Sequence, residues 1–382
     1  MSEWRDVRFQ DVIKLNPRVN LEKGRSYPFI GIADIDEGNY YVYETEMREY
    51  TGQSGSKFKS GDTLFSRITP CLENRKIAQS VLKADIKGFG STELLVFRAK
   101  EGLTTPVYVN YLAQTDLIVL PAINSMSGAS GRQRADSNFI KKLKIRIPNL
   151  ETQSKIASVL STYDKLIENN NRRIEILEQI AEELYKEWFV RMRFPGYENA
   201  KFDKGIPEGW EVTKIGEMAT FKRGKNLRIA DAIEGDVPVI AGGIEPSCYH
   251  NESNTKAPVI TVSASGANAG YTRLNFIDVW ASDCSYIDAE DSELIYYIYL
   301  LMKVSQKEIL NLQLGSAQPH VYARDLNNFS FLKPPQNLIK EMNKQAQIIF
   351  NEVKILNIQN QNLTKQRDLL LPRLMNGTIT VK

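Results

Sequence analysis

Apolar residues recur along two stretches of this chain at alternating intervals of four and three. The first ladder runs Ile156, Leu160, Tyr163, Ile167, Asn170, Ile174, Leu177, Ala181, Leu184, Trp188. The second runs Met342, Ala346, Ile349, Val353, Leu356, Asn360, Leu363, Arg367, Leu370, Leu374. A mean period of about 3.5 marks a helix that must bury one stripe against another helix. Two long helices are predicted, from about Thr152 to Val190 and from about Leu338 to Leu371, each a coiled-coil spacer. Pro195-Gly196 ends the first, and Pro372 with Gly377 ends the second, because proline cannot continue a helix and glycine tolerates the turn. At 1.5 Å per residue such rods are roughly 50–58 Å long. Asn170 and Asn360 fall near mid-helix and are expected to face each other, since a seam asparagine costs stability but fixes register.

Outside the ladders the pattern changes to short β-rich runs between glycine and serine turns: Tyr27 to Ile32, Thr63 to Arg67, Leu94 to Arg98. One helix is predicted over Pro106 to Leu120, and a strand over Leu143 to Ile147. The plan then repeats. Val237-Pro238-Val239-Ile240 echoes Tyr27-Pro28-Phe29-Ile30, and Glu293 to Val304 parallels Pro106 to Leu120. Gly315 to His320 takes the place of Ser127 to Arg134. Four segments result: globular units at 1–147 and 196–333, and helical spacers at 148–195 and 334–382. A duplicated chain of this kind favours a pseudo-two-fold arrangement with the helices antiparallel, so that each rod finds its partner within the same polypeptide.

Composition narrows the chemistry. The 382 residues are 42% hydrophobic with a net charge of +3, enough for two or three buried cores and only weakly basic. Three scattered cysteines fit a reducing cytosol rather than a disulfide framework, and no apolar run is long enough to span a membrane. With two histidines, His250 and His320, a Ser-His, Cys-His or His-metal site is hard to assemble. Cys248-x-His250 with Cys284 is an incomplete zinc set, and Gly52 to Lys57 has the wrong spacing for a phosphate loop. No catalytic or metal site is expected.

What remains is a set of basic and amide side chains in loops at equivalent places of both units. In the first unit these are Arg67, Asn74, Arg75, Lys76, Ser130, Arg132, Gln133 and Arg134. In the second they are Lys222, Arg223, Lys225, Ser265, Asn268, Arg273, Gln318, His320 and Tyr322. Arg, Lys, Asn and Gln read base edges, while Lys, Arg, Ser and Tyr grip phosphates, so these are candidate DNA-binding residues. A coiled-coil scaffold that binds protein partners is the competing reading.

Several motifs together resemble the specificity subunit of a type I restriction-modification system. They are Ile147-Pro148-Asn149-Leu150-Glu151-Thr152-Gln153 leading into the first helix, Glu182 to Phe189 near its end, and Ile206-Pro207-Glu208-Gly209-Trp210 opening the second unit. Leu370-Leu371-Pro372-Arg373-Leu374-Met375-Asn376-Gly377 closes the chain. The resemblance implies an α+β protein with two α/β target-recognition domains in pseudo-two-fold repeat, separated by two long antiparallel coiled-coil helices. Each domain would read half of a split double-stranded DNA site, and the N-terminal stretch would lie near the C-terminal helix. It also implies two methyltransferase subunits and a restriction-translocase subunit as partners; S-adenosylmethionine, ATP and Mg would serve those partners, with no cofactor in this chain. Gln153 to Leu160 and Trp188-Phe189 would be partner-docking or coil-packing. Pro335-Gln336-Asn337 lacks the Glu-x-Gln of Glu151 to Gln153, a departure at the second helix.

Overall fold

The computed structural model describes residues 4–44, 46–83, 86–129, 131–313 and 319–381. The chain forms two compact units, one from residues 1–169 with 360–382 and the other from 170–359. Each long helix is therefore shared, with one stretch in each unit.

In the first unit a five-stranded sheet runs in the order Ile13–Leu15, Leu94–Ala99, Thr63–Ser66, Ile77–Val81, Tyr41–Tyr43. Its central strands are continuous apolar runs because both faces are covered. Leu94, Val96 and Leu64 point into a core with Ile30 and Phe58, while Leu95, Phe97 and Phe65 point into one with Tyr108 and Leu112. Alternation of side chains about the pleat sorts neighbours to opposite cores. A second sheet orders Glu46–Tyr50, Arg25–Ile30, Lys87–Gly90, Ser56–Lys59, and Arg5–Arg8 pairs antiparallel with Lys144–Ile147.

The second unit repeats this frame. Lys222–Arg223, Cys284–Ile287, Val259–Ser263 and Thr272–Asn275 follow the order of the first four strands above. Cys248–His250, Val237–Ile240 and Trp280–Ala281 match the first three strands of the second sheet, including the one parallel pairing. Glu211–Lys214 pairs with Ser330–Lys333 as Arg5–Arg8 does with Lys144–Ile147. Pro28 and Pro238 both sit within the equivalent strands, as the echo between those segments predicts.

The long helices are Leu150–Phe189 and Gln336–Met375. Within the first unit Ile156 and Leu160 share a core with Leu371, Leu374 and Met375, so the start of one helix meets the end of the other. Within the second, Ala181, Tyr185 and Phe189 share a core with Leu338, Met342 and Ala346. Arg173 reaches Glu352 at 2.7 Å, and Asn170 Nδ2 lies 3.4 Å from Gln359 Oε1. Rising numbers on one helix meet falling numbers on the other, so the pairing is antiparallel in each unit.

Two boundaries differ from expectation. The single helix expected over Pro106 to Leu120 is two, Pro106–Gln114 and Asp116–Asn124. Thr115 is extended between them, and its hydroxyl donates back to the Leu112 carbonyl at 2.6 Å, which turns the chain. The second long helix does not stop at Pro372 but continues to Met375. Burial of Leu371, Leu374 and Met375 offsets the donor that proline lacks. Gly377 then takes φ +79°, and a Cβ there would lie 2.9 Å from the Trp4 ring. The N-terminal stretch thus packs on the end of the C-terminal helix within the first unit.

The helix starts also differ in a way that resolves the missing Glu-x-Gln. Gln153 is fully buried; its amide donates to the carbonyls of Leu103 and Pro148 at 3.0 and 2.9 Å and accepts from Thr105 N at 3.1 Å. Its role is therefore coil-packing, as no surface is left for docking. Asn343, further inside the second helix, does the same work, accepting from Tyr297 N at 3.1 Å and donating to Glu293 O at 3.0 Å.

Candidate nucleic-acid interface

In the first unit the loop that ends in Arg134 is tied to the end of a central strand. Ile68 and Arg134 form a β-bridge, Ala135 N donates to Arg67 O at 2.8 Å, and Arg67 N donates to Glu93 O at 2.9 Å. Thr69 and Gln133 exchange two further bonds, Thr69 N to Gln133 O at 3.0 Å and Gln133 N to Thr69 Oγ1 at 3.1 Å. Arg132, Gln133 and Arg134 are exposed. Arg134 Nε is 2.8 Å from Glu93 Oε2, and this hydrogen bond holds the Glu93 carboxyl below the usual carboxylate range.

The second unit builds the same joint from different side chains. Ser265 and His320 form the equivalent bridge, Val321 N donates to Ala264 O at 3.0 Å, and Ala264 N donates to Asp283 O at 3.2 Å. Asp283 thus stands where Glu93 stands, and here it accepts from the Ser265 hydroxyl. His320 stacks on Tyr322 with ring centroids 5.8 Å apart and planes 7° from parallel, and the Arg324 guanidinium lies 5.5 Å above the same tyrosine. Two hollows of about 270 and 400 Å³ open here and share Arg223, Tyr322 and Ala323. A flat aromatic pair flanked by arginines offers stacking and charge together, a combination suited to nucleic acid.

A family model, the type I restriction modification DNA specificity domain, matches residues 1–179 and 207–365. The chain belongs to that family. Recognition of DNA sequence is the family's general role. The chain is 30% identical over 318 residues to the MjaIX specificity subunit of Methanocaldococcus jannaschii, covering 74% of this chain and 71% of that one. It is 24% identical over 414 residues to the MjaVIII specificity subunit of the same organism, covering 100% and 94% of the two chains. The type I S subunit of M. genitalium has a similar fold, with a TM-score of 0.58 at 19% identity, covering 98% of this chain and 96% of that one.

The family's loops in this chain do not all present free side chains. Arg75, at φ +52°, gives its guanidinium to Asp116 and to the Gln114 carbonyl, and Lys222 pairs with Asp291. Both cations are committed inside their own unit, which argues against a primary DNA role. Asn74 donates to Glu37 at 2.7 Å, and Lys76 is half-buried. Lys225 lies 5.7 Å over the Trp280 ring, and Arg273 lies 6.0 Å over Tyr271. Asn268 is half-buried, and its carbonyl accepts from Tyr271 N at 2.9 Å. Arg223, Ser265, His320 and Tyr322, from three separate segments, converge. Ser130 and Gln318 lie outside the described residues. Sequence reasoning missed Glu93 and Asp283, acids whose equivalence shows only through the strand frame, and Arg18, which has no cationic neighbour in sequence.

Among the described residues no cluster of histidine, cysteine and acidic side chains could hold a metal ion. His250 instead accepts from Ile233 N at 3.0 Å and sets its ring edge-on to Trp280. No described helix is long and apolar enough to cross a membrane.

The Glu93–Arg134 tie should respond to acid. A carboxyl whose folded-state pKa is depressed stabilises the fold above its unfolded pKa, about 4.3, and that contribution is lost as pH falls through the folded value. Amide exchange at Arg132 to Ala135 is therefore expected to quicken below about pH 4. In Glu93→Gln it should already be fast at neutral pH. Equal exchange in both proteins at neutral pH would show that the backbone bridge alone holds the loop.

Proposed function

We propose that the chain is the non-catalytic DNA-reading subunit of a type I restriction-modification complex, each unit reading one half of a bipartite duplex target. What carries this reading is one joint built twice with different side chains. Arg132, Gln133 and Arg134 stand at it in one unit, and Arg223, Ser265, His320 and Tyr322 in the other. A shared frame with unlike reading groups is what two unlike half-sequences require. The long helices set the interval between half-sites, which on one face of a duplex is about 34 Å.

Catalysis belongs to partners. Two methyltransferase subunits using S-adenosylmethionine methylate adenine, and a translocase-nuclease subunit uses ATP and Mg. The helices supply docking surface: Leu166, Ile176 and Ile180 on the first, and Ile348, Ile355 and Ile358 on the second, are 44–61% exposed. A net charge of +3 supports weak binding by this chain alone, with partners adding phosphate contacts.

Mapping methylated adenines across the genome tests the proposal. Deleting the chain should abolish methylation at one split motif, and His320→Ala with Tyr322→Ala should relax one half of it only. Unchanged methylation after deletion would refute the reading. Changes in both halves would refute the assignment of one half to each unit.

A further inference from the structure

The first unit contains a cleft that none of the sequence motifs marks. Its volume is about 470 Å³, and Arg18, Lys57 and Arg67 line it with Asn16, Ser56 and Thr92. No acid lines it, and among the described residues none of the three cations forms an ion pair. Glu93, next to Thr92 at the rim, turns its carboxylate to Arg134 instead.

The three cations come from separate segments, each held by its backbone. Asn16, at φ +50°, exchanges bonds with Val96: its N donates to Val96 O at 2.7 Å and its Oδ1 accepts from Val96 N at 2.8 Å. That pins the turn carrying Arg18 to the central strand. The segment before Lys57 is pressed so close to its neighbour that a Cβ on Gly55 would lie 2.4 Å from Gly90 O. Lys57 itself pairs with Phe89 in the sheet, and its ammonium lies 4.9 Å over the Tyr50 ring. Arg67 donates from Nη2 to Ala135 O at 3.2 Å, while its buried Nε has no partner. Like charges gathered without a counter-charge repel one another until an anion enters.

The corresponding place in the second unit is chemically different. There Arg223 leaves the equivalent edge strand, Ala264 replaces Arg67, and Asp283 lines the hollow with His320. The carboxylate of Asp283 makes that hollow less favourable for a bare phosphate. We propose that the Arg18, Lys57 and Arg67 cleft binds a backbone phosphodiester of the DNA, anchoring the first unit independently of sequence, while the equivalent hollow of the second unit faces bases. This rests on the DNA-reading role proposed above and adds to it a division of labour between the two units.

The test uses the full chain assembled with its methyltransferase subunits, a target duplex and a scrambled duplex of equal length. In Arg18→Gln with Lys57→Gln, affinity for both duplexes should fall together. The slope of log K against log salt should shrink by about 1–2, since each lost phosphate contact removes about 0.9. Arg67→Lys, which keeps the charge, should retain the slope. An unchanged slope, or a loss confined to the target duplex, overturns the proposal. So does adenosine monophosphate binding that the double variant loses while duplex binding stays intact, because the cleft would then be a free-nucleotide pocket. If the unaltered complex retards neither duplex, the DNA-reading role itself falls and takes the cleft with it. Both altered side chains lack ion pairs, so thermal midpoints are expected to match; a wild-type salt slope in Arg18→Gln and in Lys57→Gln made singly would also count against the cleft.

Discussion

Arg367→Met is expected to cost the first unit about 3–5 kcal/mol, the usual penalty for removing one partner of a buried ion pair. Arg367 is 3% exposed and occupies a seam position where the ladder asks for an apolar residue. Its Nη1 lies 2.6 Å from Asp164 Oδ1 and its Nε 2.9 Å from Asp368 Oδ1, and its guanidinium sits 4.0 Å over the Tyr40 ring. Asp164, 8% exposed, also accepts from the Tyr111 hydroxyl. Without the arginine, Asp164 is a buried charge with no cation. Asp164→Leu added to Arg367→Met should recover most of the loss, because an apolar pair of similar volume is often neutral in such a site. Tyr111 keeps a partner in that double variant, since its hydroxyl lies 3.4 Å from that of Tyr41. Denaturant midpoints at constant m value measure both effects.

The pH dependence gives an independent check. Burial raises the Asp164 carboxyl above the usual carboxylate range, and the bonds from Tyr111 and Arg367 only partly oppose this. A carboxyl raised in the folded state favours folding below its unfolded pKa, about 3.9, and loses that contribution as pH rises through the folded value. The deficit of Arg367→Met should thus be smallest near pH 4 and grow toward neutrality. A deficit independent of pH would mean that lost packing against Tyr40, rather than the orphaned carboxylate, sets the cost.

Adding one heptad to both long helices, after residues 169 and 359, is expected to lengthen the unread spacer by about three base pairs without changing either half-site. Seven residues extend a helix by about 10.5 Å, and a base pair rises about 3.4 Å. Seven residues are also close to two turns, so the face presented beyond the insertion rotates by only about 20°. Four residues inserted in each helix would instead turn the buried stripe outward and abolish recognition. Lengthening one helix alone would break pairs such as Arg173 with Glu352 and should destabilise the fold. Methylated-motif sequencing reads all three outcomes. Altered half-site letters after the paired heptad insertion would refute a spacing role for the helices.

Much of the frame is legible in the residues. Ile156, Leu160, Ala181, Met342, Ala346, Val353, Leu356 and Leu374, all ladder positions, are buried. Tyr185, Phe189, Ile339, Phe350 and Met375 are equally buried yet fall off the ladder. They face the strands and short helices of their unit, so the buried stripe is wider than a seam made by two helices alone. The repeat of the globular plan was visible too, since Pro28 and Pro238 mark the same strand.

The candidate interface was legible only in outline. Spacing along a helix or strand is a local property, fixed by 3.6 or two residues per repeat, so a single chain displays it directly. Which cations stay free is settled by partners distant in sequence. Arg75 is spent on Asp116, and Arg134 rests on Glu93, while Arg18 joins Lys57 and Arg67 only because two sheets bring three segments to one rim. The sequence by itself therefore determined the helices, the duplication and the family. Tertiary structure alone decided which loop side chains converge and which are neutralised, because charge pairing depends on distance through space rather than along the chain.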